Sequence, residues 1–219
     1  QKSCNVAMMY VAQATGIHIF TQYQKNLGLG LKTNIDLPGE PFTDTDVMIH
    51  RENGENSKDG QVVMVPADLA TYSFGQGYNC TMIEMITAFS SLVNGGYLYQ
   101  PHVVKKIVSS SGSTIKNIEP RLLRQTISES TSKKIVEYCN TVVTGEHGTG
   151  KTARPVGFMI GGKTGTAETV PRNKRDYVVS FMGYAPADNP EIAIYVVVDR
   201  PNYPVQDDAK RATYIVHNV

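Results

Sequence analysis

No stretch of the 219 residues approaches the ~18 successive apolar positions of a membrane-crossing helix, and no basic, apolar and small-residue leader opens the chain. Neither sign of charge is in excess. Lys and Arg number 21 against 20 Asp and Glu, and a net charge of +1 argues against nucleic acid as a main partner. The local basic group Arg172-Asn173-Lys174-Arg175 reads as a solvated hairpin loop instead. Cysteine is scarce. Cys4, Cys80 and Cys139 form no C-x-x-C pair, and an odd count leaves at least one thiol without a disulfide partner.

What is present fits one globular unit. A hydrophobic share of 41% is ordinary for a packed core, and the chain has no internal repeat and no linker. The layout is helical first and sheet-forming last, an α+β class in which an antiparallel sheet is flanked by helices. Apolar spacing predicts helices near 4–15, 17–26, 81–94 and 131–144. The third opens on a capping box, Thr81-x-x-Glu84, and presents Met82, Met85, Ile86, Phe89 and Val93 as one apolar face before the stop at Gly95-Gly96. The fourth turns Ile135, Val136, Cys139, Val142 and Val143 inward, with Ser130 as its cap and Cys139 as a core thiol. Three strands, about 156–168, 176–186 and 191–199, are expected to close the chain as an antiparallel meander. Their connections, Pro171-Arg172-Asn173 and Pro186 to Pro190, are turn chemistry. Ile192 to Val198 shows no polar alternation, so both faces of that strand are expected to be buried between helices, one of them supplied by Asp207 to Val219. The polar stretch 38–66, centred on His50 to Gly60, reads as a long exposed loop.

Chemistry concentrates in Gly161-Gly162-Lys163-Thr164-Gly165-Thr166-Ala167-Glu168. On a strand, Lys163 and Gly165 share one face and Thr164 and Thr166 the other. The bare backbone at Gly165 lets a ligand lie close to the strand. A cation, two hydroxyls and backbone N–H groups together suit a substrate with a carboxylate and an amide. The same letters also describe a Gly-rich turn with a solvated lysine. At the start of the chain, Ser3-Cys4-Asn5 precedes a helix marked by Met8, Met9, Val11 and Ala12, where Ser3 can be an N-cap.

Ser3-x-Asn5 followed far along the chain by Lys163-Thr164-Gly165 resembles the S-x-N and K-T-G pair of class A β-lactamases and penicillin-binding proteins. The resemblance widens through Gly75-Gln76-Gly77, Thr81 to Met85, Asn94-Gly95-Gly96 and Gly145 to Lys151, and so spans nearly the whole chain. On these motifs the chain is similar to the transpeptidase domain of class B (monofunctional) penicillin-binding proteins, nearest to the elongation or sporulation enzymes of Gram-positive bacteria. The fold so implied is that of the penicillin-binding and β-lactamase-like serine enzymes, in part. Residues 1–219 would be the C-terminal part of one transpeptidase domain beginning at S-x-N. The acylated serine of S-x-x-K, a pedestal domain and a membrane anchor would lie upstream, which places the protein on the extracytoplasmic face of a bacterial membrane. Ser130-Thr131-Ser132-Lys133 also spells S-x-x-K, but it follows S-x-N where the family has it precede.

The resemblance implies a peptidoglycan D,D-transpeptidase that cross-links stem peptides through a serine acyl-enzyme and is inhibited by β-lactams. Ser3 would relay a proton to the leaving D-alanine, Asn5 would hold the substrate amide, and Lys163 would attract the terminal carboxylate. Thr164 and Thr166 would bind that carboxylate, Gly165 would admit the substrate, and the Thr166 N–H would form half of an oxyanion hole. Partners would be stem peptides, β-lactams, the upstream part of the same protein and other cell-wall synthesis proteins. No cofactor is needed, although Cys4 and Cys80, in segments the family places near the site, leave an ancillary zinc site open with His18 or His50. The sheet would be completed by upstream strands, so poor stability of this segment alone is expected.

Two other functions stay open. A β-lactam or peptidoglycan sensor, or a degenerate transpeptidase, would share the same motifs without cross-linking. Gly145-Glu146-His147-Gly148-Thr149-Gly150-Lys151-Thr152 also matches a phosphate-binding loop, which requires a strand before it and a helix after it.

Overall fold

The computed structural model describes residues 1–41, 64–171 and 174–219. Most of the expected loop over 38–66, His50 included, therefore lies outside the described residues, as do Arg172 and Asn173, while Lys174 and Arg175 are exposed. In chain order the elements are α1 (Asn5–Thr15), α2 (Ile17–Asn26), α3 (Pro66–Ser73), α4 (Met82–Val93), β1 (Tyr97–Tyr99), β2 (Lys106–Val108), β3 (Thr114–Asn117), β4 (Leu122–Gln125), α5 (Glu129–Thr144), β5 (Gly161–Glu168), β6 (Tyr177–Ala185), β7 (Ile192–Asp199) and α6 (Lys210–His217).

The last three strands form the expected antiparallel meander, ordered β5-β6-β7, but the first begins at Gly161 and not near 156, because Val156 and Gly157, with Gly157 at φ 83°, form a turn before it. Residue parity on β6 sends Val179 and Phe181 to one face and Ser180, Met182 and Tyr184 to the other. Phe181 packs with Val143 of α5, Ala153, Ile160, and Ala212 and Val216 of α6. Tyr184 packs with Phe89 and Val93 of α4, joined by Val136 and Cys139 of α5. Its hydroxyl lies 2.8 Å from Asn140 Oδ1 and 2.9 Å from the Val136 carbonyl, so the ring is buried without orphaning its polar tip. β7 departs from expectation. Ile194 to Val198 are half-buried on both faces and Ile192 is exposed, because β7 forms the sheet's edge among the described residues.

α4 opens as its sequence predicts. Thr81 Oγ1 accepts from the Glu84 N–H at 3.1 Å, and Glu84 Oε2 accepts from the Thr81 N–H. Glu84 is buried, and its other oxygen accepts from the Gly30 N–H at 3.0 Å, tying α4 to the turn after α2. Met82, expected on the apolar face, is exposed instead, since the first helical residue points away before the turn reaches the core. The reach to Gly30 should separate two substitutions. Glu84→Ala is expected to lower the unfolding free energy by about 2–3 kcal/mol, the loss of hydrogen bonds to a charged group. Thr81→Ala should cost only the cap, about 1 kcal/mol. Equal costs in chemical denaturation would mean that the Gly30 bond contributes nothing.

α5 starts two residues earlier than its apolar spacing predicts. Ser128, not Ser130, is the cap, with Oγ accepting from the Thr131 N–H at 3.2 Å. Ser130 sits exposed in the first turn, its hydroxyl 3.0 Å from that of Ser128. Ser132 is buried and joins α5 to α4: Gly95 N–H donates to its Oγ, which donates to the Leu92 carbonyl.

α3 and the short strands have no counterpart in the sequence reading. α3 is started by Pro66 and by Asp68, whose carboxylate accepts from the Val65 N–H at 3.3 Å. Its Leu69 and Tyr72 then pack on Ala12 of α1, with Phe20 and Tyr78 alongside. β2, β3 and β4 are wholly exposed, so they bury no face that alternation could report.

Candidate active site

The first turn of α1 places Ser3 unusually. Cys4 is the cap residue, extended and without a side-chain bond to the helix, so Ser3 is not a cap. Ser3 has φ 51°, an uncommon conformation for a residue with a Cβ. The bend sends its hydroxyl across to β5, where Lys163 Nζ donates to Ser3 Oγ at 2.9 Å and to the Thr164 carbonyl at 2.6 Å. Segments 160 residues apart thus meet at one hydroxyl and one ammonium. Asn5 opens α1 beside them and is exposed.

Lys163 is half-buried, and burial holds its ammonium below the ordinary lysine range, with the nearby Cys139 acting in the opposite direction. Burial pushes the Cys139 thiol up to about 11, with the Lys163 ammonium pulling the other way.

The strand divides its side chains as the spacing implies. Lys163 and Gly165 face Met182 and Ser180 of β6. A Cβ at Gly165 would lie 2.5 Å from Ser180 Oγ, so the gap at this glycine is filled by Ser180, not left to a ligand. On the other face Thr164 is buried, its hydroxyl 2.8 Å from that of Thr149, while Thr166 is exposed and donates to the Asp207 carbonyl at 3.3 Å.

Access is along the strand's edge. The Thr169 N–H bonds the Asp176 carbonyl, so in this antiparallel register the odd residues of β5 turn their backbone groups to β6. The even ones, Thr164, Thr166 and Glu168, turn theirs outward. The Thr164 carbonyl accepts from Lys163, and the Thr166 carbonyl accepts from Gln76 Nε2 at 3.0 Å. An ammonium, an exposed serine and an outward Thr166 N–H therefore line one groove. Such a set can attract a carboxylate, relay a proton and stabilise a developing oxyanion.

Gln76, Thr149 and Ser180 were given no role from sequence. The bracketing of Gln76 by two glycines and of Thr149 by Gly148 and Gly150 were the local signals, since each marks a turn built to present one side chain. Among the described residues no group of three or more His, Cys, Asp or Glu side chains could hold a metal ion. Cys4 is exposed, burial pushes the Cys80 thiol up to about 11, and His50 lies outside the described residues. Gly145 to Thr152 follows helix α5 and ends in a single 3-10 turn, Lys151–Ala153, with Lys151 Nζ donating to the Glu146 carbonyl. It lacks the strand before and the helix after that a phosphate-binding loop requires, which overturns the nucleotide-hydrolase alternative.

A family model described as the penicillin binding protein transpeptidase domain matches residues 1–219. The chain is similar to stage V sporulation protein D of Bacillus subtilis, 37% identical over 223 residues, which cover 100% of this chain and 32% of that protein. It is similar to the probable peptidoglycan D,D-transpeptidase PenA of Neisseria gonorrhoeae, 28% identical over 204 residues, covering 92% of this chain and 31% of that one. Penicillin-binding protein 3 of Mycobacterium tuberculosis, solved in complex with aztreonam, superposes with a TM-score of 0.79 at 26% identity, covering 99% of this chain and 48% of that one. The chain spans about a third of the length of the curated relatives it matches. No helix of the described residues is long and apolar enough to cross a membrane.

Proposed function

The chain belongs to the penicillin-binding protein transpeptidase domain family, and from that premise we propose that it is part of a class B serine-type peptidoglycan D,D-transpeptidase. The supporting observation is the 2.9 Å bond from Lys163 Nζ to Ser3 Oγ, which unites the two motifs at one groove. The acylated serine and its lysine belong to an upstream part of the protein, together with a pedestal and a membrane anchor, so that the domain works on the extracytoplasmic face. α1 supports such a covering part, since Val6, Tyr10 and Val11 are 58%, 70% and 55% exposed on it.

In this scheme the upstream serine attacks the carbonyl of the penultimate D-alanine while the upstream lysine takes its proton. Negative charge on the carbonyl oxygen falls to the Thr166 N–H and a second backbone N–H at the serine. One such donor is typically worth ~3 kcal/mol of the barrier. Ser3 accepts a proton from the lysine's side and passes one to the departing D-alanine nitrogen, as a hydroxyl can do both. Lys163 attracts the terminal carboxylate, the exposed Thr166 hydroxyl binds it, and Asn5 holds the backbone amide. Thr164, bonded to Thr149, steadies the strand. The amine of a second stem peptide then attacks the ester, forms the cross-link and returns the serine. The scheme uses hydroxyls, amines and backbone N–H groups and calls on no cofactor. A β-lactam follows the first half and stops at the ester. Other cell-wall synthesis proteins are the partners expected beside the stem peptides.

The test is intact mass and peptide mapping after benzylpenicillin treatment, on this segment alone and on the protein extended upstream. An adduct in the extended protein alone, on a serine preceding Ser3, is the expected result. An adduct with no cross-linking of stem peptides would make the protein a sensor, and no adduct in either would overturn the proposal.

A further inference from the structure

Among the described residues β5 pairs with β6 alone, and its other edge is the place where an extended peptide can add as a further strand, pairing with outward backbone groups. Thr166 offers both an N–H and a carbonyl there, and the carbonyl is already bonded. Gln76 Nε2 donates to it at 3.0 Å across 90 residues of sequence. The local chain is built to aim this side chain. Just after α3, the Gly75 N–H bonds the Tyr72 carbonyl at 3.0 Å and the Gln76 N–H bonds the Thr71 carbonyl at 3.1 Å. Gly75 and Gly77 flank it with φ of 84° and 90°, and a Cβ at Gly77 would lie 2.9 Å from the Tyr72 ring. A primary amide donating to a strand-edge carbonyl makes the same bond that the N–H of an added peptide makes.

We propose that Gln76 is a substrate-mimicking latch, which holds the Thr166 carbonyl until an amide N–H of the acyl donor displaces it. The proposal rests on the transpeptidase reading, because it takes the β5 edge as the place where the acyl donor lies. A ligand that brings an amide N–H to this edge exchanges its hydrogen bond against the latch and gains little. A ligand without that N–H leaves the latch in place. The latch therefore narrows the preference for acylamino ligands, and removing its donor should widen that preference.

The experiment measures second-order acylation rate constants in the complete protein for two β-lactams, benzylpenicillin and penicillanic acid, which lacks the acylamino group. Gln76→Met keeps the length and apolar packing of the side chain but has no donor. Gln76→Asn keeps the amide but is one methylene too short to span the gap. In both variants the benzylpenicillin to penicillanic acid ratio should rise roughly three- to tenfold, the worth of one hydrogen bond no longer exchanged. A ratio that is unchanged, or that falls because Gln76 assists the ligand, overturns the latch while leaving the transpeptidase reading intact. A wild-type protein that benzylpenicillin does not acylate overturns that reading and the latch with it.

Discussion

Lys163→Ala in the complete protein is expected to slow acylation by benzylpenicillin about 10²- to 10³-fold, the usual loss for one preorganised electrostatic group. The ammonium sits 2.9 Å from the Ser3 hydroxyl and 2.6 Å from the Thr164 carbonyl, so its removal takes both the attraction for a carboxylate and the group that orients Ser3. The loss should not come from unfolding, because a half-buried cation is a cost to the fold that alanine relieves. The pH dependence gives an independent check. Burial lowers the Lys163 pKa in the folded protein, whereas in the unfolded chain it returns to about 10.4. Between those two values the unfolded state holds more protons, so the Lys163 contribution to stability improves as pH rises. Over the same window the ammonium is lost in the folded protein, so acylation should decline earlier than an ordinary lysine would allow. Stability and acylation moving in opposite directions is a signature that general alkaline unfolding cannot produce. An unchanged acylation rate in Lys163→Ala would remove the residue from the chemistry.

How much of this was legible in the sequence follows from where each signal is stored. α1, α2, α4 and α5 announce themselves because each repeats its apolar residues at the helical period, as Phe89 and Val93 do on α4, whereas the β5-β6-β7 meander is marked by the turn residues between its strands and by the unbroken apolar run of β7. α3 is eight residues long and is held by Leu69 and Tyr72 against α1, a tertiary contact that no local pattern encodes. The same holds within the site. Lys163 and Gly165 fall on one face by parity alone, yet that Gly165 makes way for Ser180 depends on the register with β6. The meeting of Ser3 with Lys163 was implied by a family resemblance, while the Gln76 bond to Thr166 joins residues that neither motif nor period connects. Periodicity reports what a segment does to itself, and the groove is made by what distant segments do to each other.

The same dependence on distant contacts makes Phe181→Ala the substitution with the largest expected effect on the fold, a loss of about 3–5 kcal/mol in unfolding free energy. Phe181 is 0% exposed in the cluster that joins β6 to α5 and α6. Its ring also fills the space left by three glycines. A Cβ would lie 3.0 Å from Cε2 at Gly150, 2.4 Å from Cζ at Gly162 and 2.7 Å from Cε1 at Gly183. Gly162 directly precedes Lys163, so the ring braces the strand that holds the ammonium. This geometry predicts how pairs of substitutions combine. Gly183→Ala should cost about 1–3 kcal/mol by overpacking, and Phe181→Leu should recover part of that cost, since the ring is the near obstacle there. Gly162→Ala should not be recovered in this way, because its Cβ would also meet the Met182 carbonyl at 2.4 Å. Additive costs at Gly183 would show that the ring is not what excludes a side chain. Acylation by Phe181→Ala, measured well below its unfolding midpoint, should fall far less than in Lys163→Ala, because the ring touches no reacting group. A loss as large as that of Lys163→Ala would instead mean that packing behind β5 sets the geometry of the groove itself.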